Sequence, residues 1–356
     1  MPLVVEQPES LGLLDEGARR APDQGSQRRA ASLAGALVAL LVTLGCAETR
    51  NLGSSNPHGL LPADARNPIV VINDGSTENW QVEYAIVLAK DGGSPLAGLV
   101  VGTSGPWPDL DKNLAGFNGL VADARNSGLT DIPDPVGSDK PTLVRPMTGK
   151  VDDTAPNRSP GAQLILDKAD ELSLPYRPLV VVTGGRLTDV ADAYLMDPSI
   201  AERIIVFSSL GSTTDSGAAM AAPNGEMDPW ADWIVATHLR FVQVSAFYDQ
   251  LADVPATRLR ELPDNPLCNW IRAKQPNIWS LPAAADQAAV IAVQVPSYAA
   301  AVQRVSAATP VAAGATAGPD LVMNPNGPAW LVRQSASAEA AARFWQVLAD
   351  PSTYQP

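Results

Sequence analysis

The feature that most constrains this chain is an alternation that begins at Asn67. Short apolar runs, Ile69–Ile72, Leu96–Thr103, Thr142–Val144, Leu179–Thr183, Arg203–Ser208 and Phe241–Ser245, take turns with helical compositions near Trp80–Ala89, Ala115–Ser127, Ala162–Ser173, Leu187–Met196 and Pro229–Leu239. The runs are rich in Val and Ile and nearly continuous in apolar character, as strands covered on both faces are. Repeated strand–helix–strand units of this kind predict an α/β fold: a mainly parallel sheet with helices on both faces. Asp228 before Pro229 reads as a cap and first helical residue. After Leu262 the order weakens. "AAADQAAVIAV" has helical composition, Val302–Val332 divides into short strands, and Ala338–Ala349 forms a final helix.

Composition excludes several classes. With 356 residues, 46% hydrophobic and 18% charged, the chain is globular over most of its length. A formal net charge of -13 argues against a nucleic-acid partner and leaves small neutral or cationic ligands open. Two Cys (Cys46, Cys268) and two His (His58, His238) supply neither a disulfide framework nor a zinc site.

The first 65 residues differ from the rest. Two Arg pairs, Arg19–Arg20 and Arg28–Arg29, precede the uncharged run "AASLAGALVALLVTLG", Ala30 to Gly45. The run is shorter than the roughly 20 residues a spanning helix needs, and its basic approach fits a signal-peptide core. "VTLGC" ends it, and Cys46 resembles the lipidated cysteine of a bacterial lipoprotein. The expected organisation is a leader over 1–45, a flexible tether over 46–65 and one domain over 66–356. Lipid anchoring in a bacterial cell envelope is the expected location, with simple secretion as the alternative. Membrane contact would run through the lipid alone. Removing residues 1–45 leaves the net charge at about -12.

In a parallel sheet ligands sit beyond the carboxyl ends of the strands, which directs attention to the loops after Ile72, Thr103, Thr183 and Ser208. The first holds Asn73, Asp74, Ser76, Thr77, Glu78 and Asn79. Such an oxygen-rich cluster at a helix start suits Ca²⁺, which takes 6–8 oxygen ligands. Ordinary turn and capping chemistry accounts for the same residues, and both readings stand. The loop after Thr183 carries Gly184 and Gly185, which let the chain turn tightly with its backbone facing a ligand.

Taken together the segments resemble the nucleoside hydrolases, Ca²⁺-dependent enzymes that cleave the N-glycosidic bond of inosine and uridine. The resemblance runs over most of residues 68–300. "LVVVTGGRLTDVADAYLMDPSI" is similar to that family's strand, its T-G-G or G-P-L-T-N turn and the following helix. "SLGS" sits where the family has M-G-G, and "NGEMDPWADWIV" resembles E-F-N-x-x-x-D-P-x-A, with Asn224 and Asp228 matching. "AADQAAVIAV" resembles the late H-D-P-x-A segment and puts Asp286 on a metal-ligand position. "GFNGLVADARNSGLTDIPDPVGSDKP" is similar to the asparagine-bearing helix and I-P-V-x-x-G turn.

The resemblance implies Asp74 as the base that activates water, and a metal held by Asp74, Glu78, Asn79, Thr183 and Asp286. It further implies a nucleoside or sugar ligand held by Asn73, Asn224 and Glu226. Self-association is left open. The departures fall on the chemistry. Against the opening D-x-D-P-G-x-D-D, one alignment puts Asn73, Gly75, Asn79 and Trp80 on the acidic positions; a one-residue shift puts Ile72, Asp74, Glu78 and Asn79 there. Ala222-Pro223-Asn224 replaces E-F-N, Ala285 replaces the His before the late Asp, and Trp107 lies about where the second loop has Asn. Fewer carboxylates mean Ca²⁺ that is weakly held or lost. Two functions follow as expectations: a divergent N-ribohydrolase, or a non-catalytic envelope lipoprotein that keeps the fold for ligand binding or structure.

Overall fold

The sheet is built outward from its most apolar strands. A computed structural model describes residues 61–75, 80–209, 212–214, 217–219, 224, 226–244, 256–274, 286–295, 299–335 and 337–355. In chain order the first half gives β1 (Ile69–Asn73), α1 (Gln81–Lys90), β2 (Leu96–Val101), α2 (Leu110–Asn126), β3 (Pro135–Gly137), α3 (Pro160–Leu172), β4 (Leu179–Thr183) and α4 (Thr188–Met196). There follow β5 (Ile204–Ser208), β6 (Ser212–Thr214), β7 (Gly217–Ala219), α5 (Pro229–His238), β8 (Arg240–Val244), α6 (Ala256–Glu261) and α7 (Pro266–Lys274). The chain then forms α8 (Gln287–Gln294), β9 (Ala299–Ala307), β10 (Asp320–Met323), β11 (Ala329–Ser335) and α9 (Ser337–Ala349).

These strands make one 11-stranded sheet in the order β3-β2-β1-β4-β5-β8-β11-β9-β10-β7-β6. From β3 to β11 every pairing is parallel; from β11 to β6 every pairing is antiparallel. β1, β4 and β5 are buried along their whole length, which is why they read as unbroken Val and Ile. Alternate side chains feed two cores. Val71, Val182, Phe207 and Val242 point to the layer of α1, α2, α7, α8 and α9, while Ile72, Val181, Val206 and Phe241 point to α3, α4 and α5. The expected α/β class and mainly parallel sheet are observed.

One expected strand is absent. Thr142–Val144 is irregular, with Val144 80% exposed, and the edge strand is instead Pro135–Gly137. An edge strand this short needs few apolar residues, and Pro is tolerated there, so neither hydropathy nor propensity marks it. The caps do follow the sequence: Asp228 Oδ1 accepts from Ala231 N at 3.1 Å and Ser159 Oγ from Ala162 N at 3.1 Å, each with Pro in the first turn.

α1 is buried on all sides from Gln81 to Leu88, packed between the sheet, α8 and α9. It begins at Trp80, which takes a left-handed conformation (φ 63°) and is 5% exposed. The Trp80 indole meets Phe344 and Trp345 of α9 edge-on at 6.0 and 5.9 Å, and Tyr84 stacks on Phe344 at 3.8 Å. Among the described residues no helix is long and apolar enough to cross a membrane. The run Ala30–Gly45 and Cys46 lie outside those residues.

Within this layer Glu83 is 1% exposed, and among the described residues neither of its carboxyl oxygens has a hydrogen-bond partner. Burial pushes its carboxyl up to about 8 from 4.5. The folded chain therefore holds a proton there that the unfolded chain releases, and stability falls as pH rises between those two values. Glu83→Gln should abolish that fall, raising stability near pH 8 by roughly 2–4 kcal/mol in urea unfolding and leaving it little changed near pH 4. An unaltered slope in the variant would show that Glu83 is not the group responsible.

Candidate functional site at the carboxyl edge of the sheet

The carboxyl ends of β1, β4 and β5 lie side by side, with Ile72 opposite Thr183 and Thr183 opposite Ser208. Thr183 locks the turn that follows: its Oγ1 donates to Gly185 O at 2.8 Å and accepts from Gly185 N at 3.2 Å. Its backbone carbonyl accepts from Ser209 N at 3.1 Å. Gly184 then passes through a gap too narrow for a side chain. A Cβ there would lie 2.6 Å from Asn73 Nδ2 and 2.6 Å from both Cβ and Cγ of Asp286.

Segments far apart in sequence converge on this turn. Asn73 Nδ2 donates to Gln81 Oε1 at 2.5 Å, and Gln81 Nε2 donates onward to Asp286 O at 2.9 Å. Asn224 Nδ2 donates to Gly184 O at 2.5 Å and lies 3.3 Å from both Ser209 O and Asp286 Oδ1. Asp74 sits beside Gly185 instead, where a Cβ would be 3.5 Å from its Oδ1. Of the residues expected here, Asn73, Asp74, Thr183, Asn224 and Asp286 gather around the two glycines. Glu226 is exposed at the cavity mouth with Arg186, away from that hydrogen-bonded set. Glu78, Asn79, Ala222, Pro223 and Ala285 lie outside the described residues.

Ile72 belongs to the core under α3–α5, whereas Asn73 faces Gly184 and Gln81. Asn73 therefore occupies the first position that looks into the site, and Trp80 is given over to packing against α9. Gly75 takes φ +77°, and a Cβ added there would lie 3.2 Å from the Trp107 ring. Asn113 Nδ2 donates to Gly102 O and Trp107 O at 3.1 and 3.0 Å and so holds the second loop.

Asp74 is 7% exposed, and burial raises its carboxyl above the ordinary Asp value. The Ser104 hydroxyl and the Arg186 guanidinium pull the other way; Ser104 Oγ is itself buried without a hydrogen bond of normal geometry. Ser104 and Arg186, which both act on Asp74, line a cavity of about 440 Å³ together with Thr103, Gly105, Pro106, Glu226 and Met227. It adjoins a second of about 510 Å³ that shares Glu226 and Met227 and runs to Arg145, Trp230 and Val311.

Other carboxylates near the turn serve as anchors. Asp228 Oδ2 accepts from Leu143 N at 2.9 Å and Thr188 Oγ1 at 2.7 Å, and Asp189 Oδ1 accepts from Ser138 Oγ at 2.6 Å. Asp192 accepts from the backbone N–H groups of Asn157, Arg158 and Ser159. Sequence reasoning missed Gln81, Ser104 and Arg186. Arg186 had a signal: it stands where the similar G-P-L-T-N turn carries Pro.

Whether a Ca²⁺ ion fits can be judged from the donors. Among the described residues no three His, Cys, Asp or Glu side chains come together as a metal site. Asp74 and Asp286 supply two carboxylates, Asp286 Oδ1 already lies 3.3 Å from the Asn224 amide, and Asn73 could add only a neutral amide oxygen. These described donors fall short of the 6–8 oxygens a Ca²⁺ ion takes.

Comparison with protein-family models and with curated proteins gives no match to this sequence. Comparison of the fold does. The chain is similar to an inosine-guanosine nucleoside hydrolase at TM-score 0.55 and 15% identity, covering 79% of this chain and 98% of that one. It resembles a purine-preferring ribonucleoside hydrolase from Gardnerella vaginalis at TM-score 0.54 and 13% identity, covering 80% and 99%. An inosine-uridine preferring nucleoside hydrolase from Bacillus anthracis aligns at TM-score 0.53 and 12% identity over 79% and 99%. The chain thus has a nucleoside hydrolase-like fold. At these identities the likeness is one of fold alone.

The Gly184 gap yields a direct test. Gly184→Ala should destabilise the protein by about 1–3 kcal/mol, because neither Asn73 nor Asp286 has room to retreat. Gly185→Ala, with ordinary contact distances around its Cβ, should stay within about 1 kcal/mol of the natural protein. Equal effects in thermal or urea unfolding would disprove the close approach.

Proposed function

We propose that this chain is a divergent nucleoside hydrolase-like protein that takes a ribonucleoside or related glycoside at the carboxyl edge of its sheet. The observation that carries this reading is the gathering of Asn73, Asp74, Asn224 and Asp286 from distant segments around Gly184–Gly185. Amides and carboxylates in that number suit the hydroxyls of a sugar, and the cavity beside Asp74 has the size of a small-molecule site.

In this reading Asp74 takes the proton from an attacking water, and hydrolysis of the N-glycosidic bond is slow. A base must be ionised to act. With its carboxyl raised by burial, the rising limb of the pH–rate profile lies above the range of an exposed aspartate. Asp74→Asn should lower inosine or uridine turnover by about 10²–10⁴-fold with little change in ligand affinity. Turnover that survives in Asp74→Asn would remove Asp74 as the base. Natural turnover on the order of 1–10³ s⁻¹ would show that the site is not degenerate.

A second reading, a non-catalytic envelope lipoprotein, is favoured by Trp80, which commits the end of the opening loop to the core. Binding of a nucleoside without turnover separates it from the first. Both readings carry the proposal that Cys46 is acylated after removal of residues 1–45. Cys46→Ser should move the protein from the membrane to the soluble fraction of a bacterial host, and mass spectrometry should find lipid on Cys46. A mature N-terminus upstream of Ala30 would exclude the lipid anchor.

A further inference from the structure

We propose that Arg186 is a built-in counter-ion of this site, standing in place of a divalent metal so that the cavity takes its ligand without one. The guanidinium leaves the Gly184–Gly185 turn directly and lines the 440 Å³ cavity with Ser104 and Glu226. Its side chain is 14% exposed, so the charge is held largely out of water.

The surroundings are acidic. Asp139 Oδ1 lies 3.5 Å from Arg186 Nη2, and the guanidinium draws down the carboxyls of Asp74, Asp189 and Asp228 against the effect of their burial. Buried carboxylates need a compensating positive charge. Arg186 provides it permanently, since a guanidinium does not lose its proton in proteins.

A second observation concerns the donors. The 3.5 Å contact to Asp139 is long beside the 2.7–2.9 Å of a charge-assisted hydrogen bond. Thr103 Oγ1 donates to that same Asp139 oxygen at 2.7 Å. Among the described residues Arg186 makes no hydrogen bond, so its planar fork of N–H groups remains available to the cavity. Ligand oxygens can then be held by directed hydrogen bonds from Arg186 in place of coordination to an ion. A divalent cation entering the same cavity would meet a fixed like charge, and among the described residues no three carboxylates come together to hold it.

The test uses the purified full-length protein with Ca²⁺ alone, so its outcome does not depend on which ligand the site takes. Calorimetric titration should give no binding up to roughly 1 mM, the weak end of protein Ca²⁺ sites, and the melting temperature should be the same in Ca²⁺ and in EDTA. Arg186→Met should gain Ca²⁺ affinity by at least about 10-fold, with a melting temperature that rises when Ca²⁺ is added. Arg186→Lys, which keeps the charge, should stay indifferent to Ca²⁺. Micromolar Ca²⁺ binding by the natural protein would overturn the proposal, as would a folded Arg186→Met variant that binds Ca²⁺ no better than Arg186→Lys. If Arg186→Met fails to fold in EDTA, recovery with Ca²⁺ supports the counter-ion role and failure to recover overturns it. Nucleoside titrations in EDTA, run separately, report on the proposed function without touching this result.

Discussion

The whole site hangs on the missing side chain at Gly184. The chain leaving β4 passes so close to β1 and to the start of α8 that the Asn73 amide and the Asp286 carboxyl occupy the space a Cβ would fill. That approach lets Gln81 bridge Asn73 to the Asp286 carbonyl and lets Asn224 reach both Gly184 and Asp286. Four stretches of chain, from residue 73 to residue 286, are thus tied by short polar contacts at one point. Leaving a buried polar group without a partner is costly, so each of these side chains helps hold the others in place.

Below that point the protein uses carboxylates as structural acceptors. Asp228 joins the 143 loop, α4 and the first turn of α5, and Asp192 gathers three successive backbone N–H groups before α3. Acceptor-only side chains are well suited to collecting N–H groups from irregular loops, which otherwise have no partners in the sheet. The same economy concentrates negative charge near the cavity. Asp232, wholly buried and one helical turn beyond Asp228, is held well above its ordinary value by burial and by that neighbouring charge. Arg186 faces the carboxyls of Asp74, Asp189 and Asp228 and offsets in part the effect of their burial.

Much of this was legible in the sequence. Ile69–Asn73, Leu179–Thr183 and Ile204–Ser208 are unbroken apolar runs because both faces are covered, and that covering is what periodicity detects. Asp228–Pro229 announced its helix by local chemistry alone. β3 was not legible, since an edge strand of Pro135–Gly137 depends on its neighbour β2 and on no property of its own. At the site, Asn73, Asp74, Asn224 and Asp286 were found through ordered resemblance, because no local pattern links residues so far apart. Gln81, Ser104 and Arg186 escaped because their significance is relational. A glutamine at a helix start is unremarkable until it bridges two loops, and an arginine after two glycines reads as surface until its side chain is seen lining a cavity.

Trp80 shows how aromatic packing can set the start of a helix that has no side-chain cap. In one of the two alignments with the resemblance, it falls on the last acidic position of the opening loop. Here the indole is 5% exposed and braced by Phe344 and Trp345, with Tyr84 stacked on Phe344 in the next turn of α1. Burying aromatic groups of this size contributes several kcal/mol, far more than a surface-lying carboxylate would. The start of α1 is thereby fastened to α9 by packing. On the reading proposed above, this packing would hold the start of α1 in place while Arg186 would supply positive charge to the carboxyls beside it.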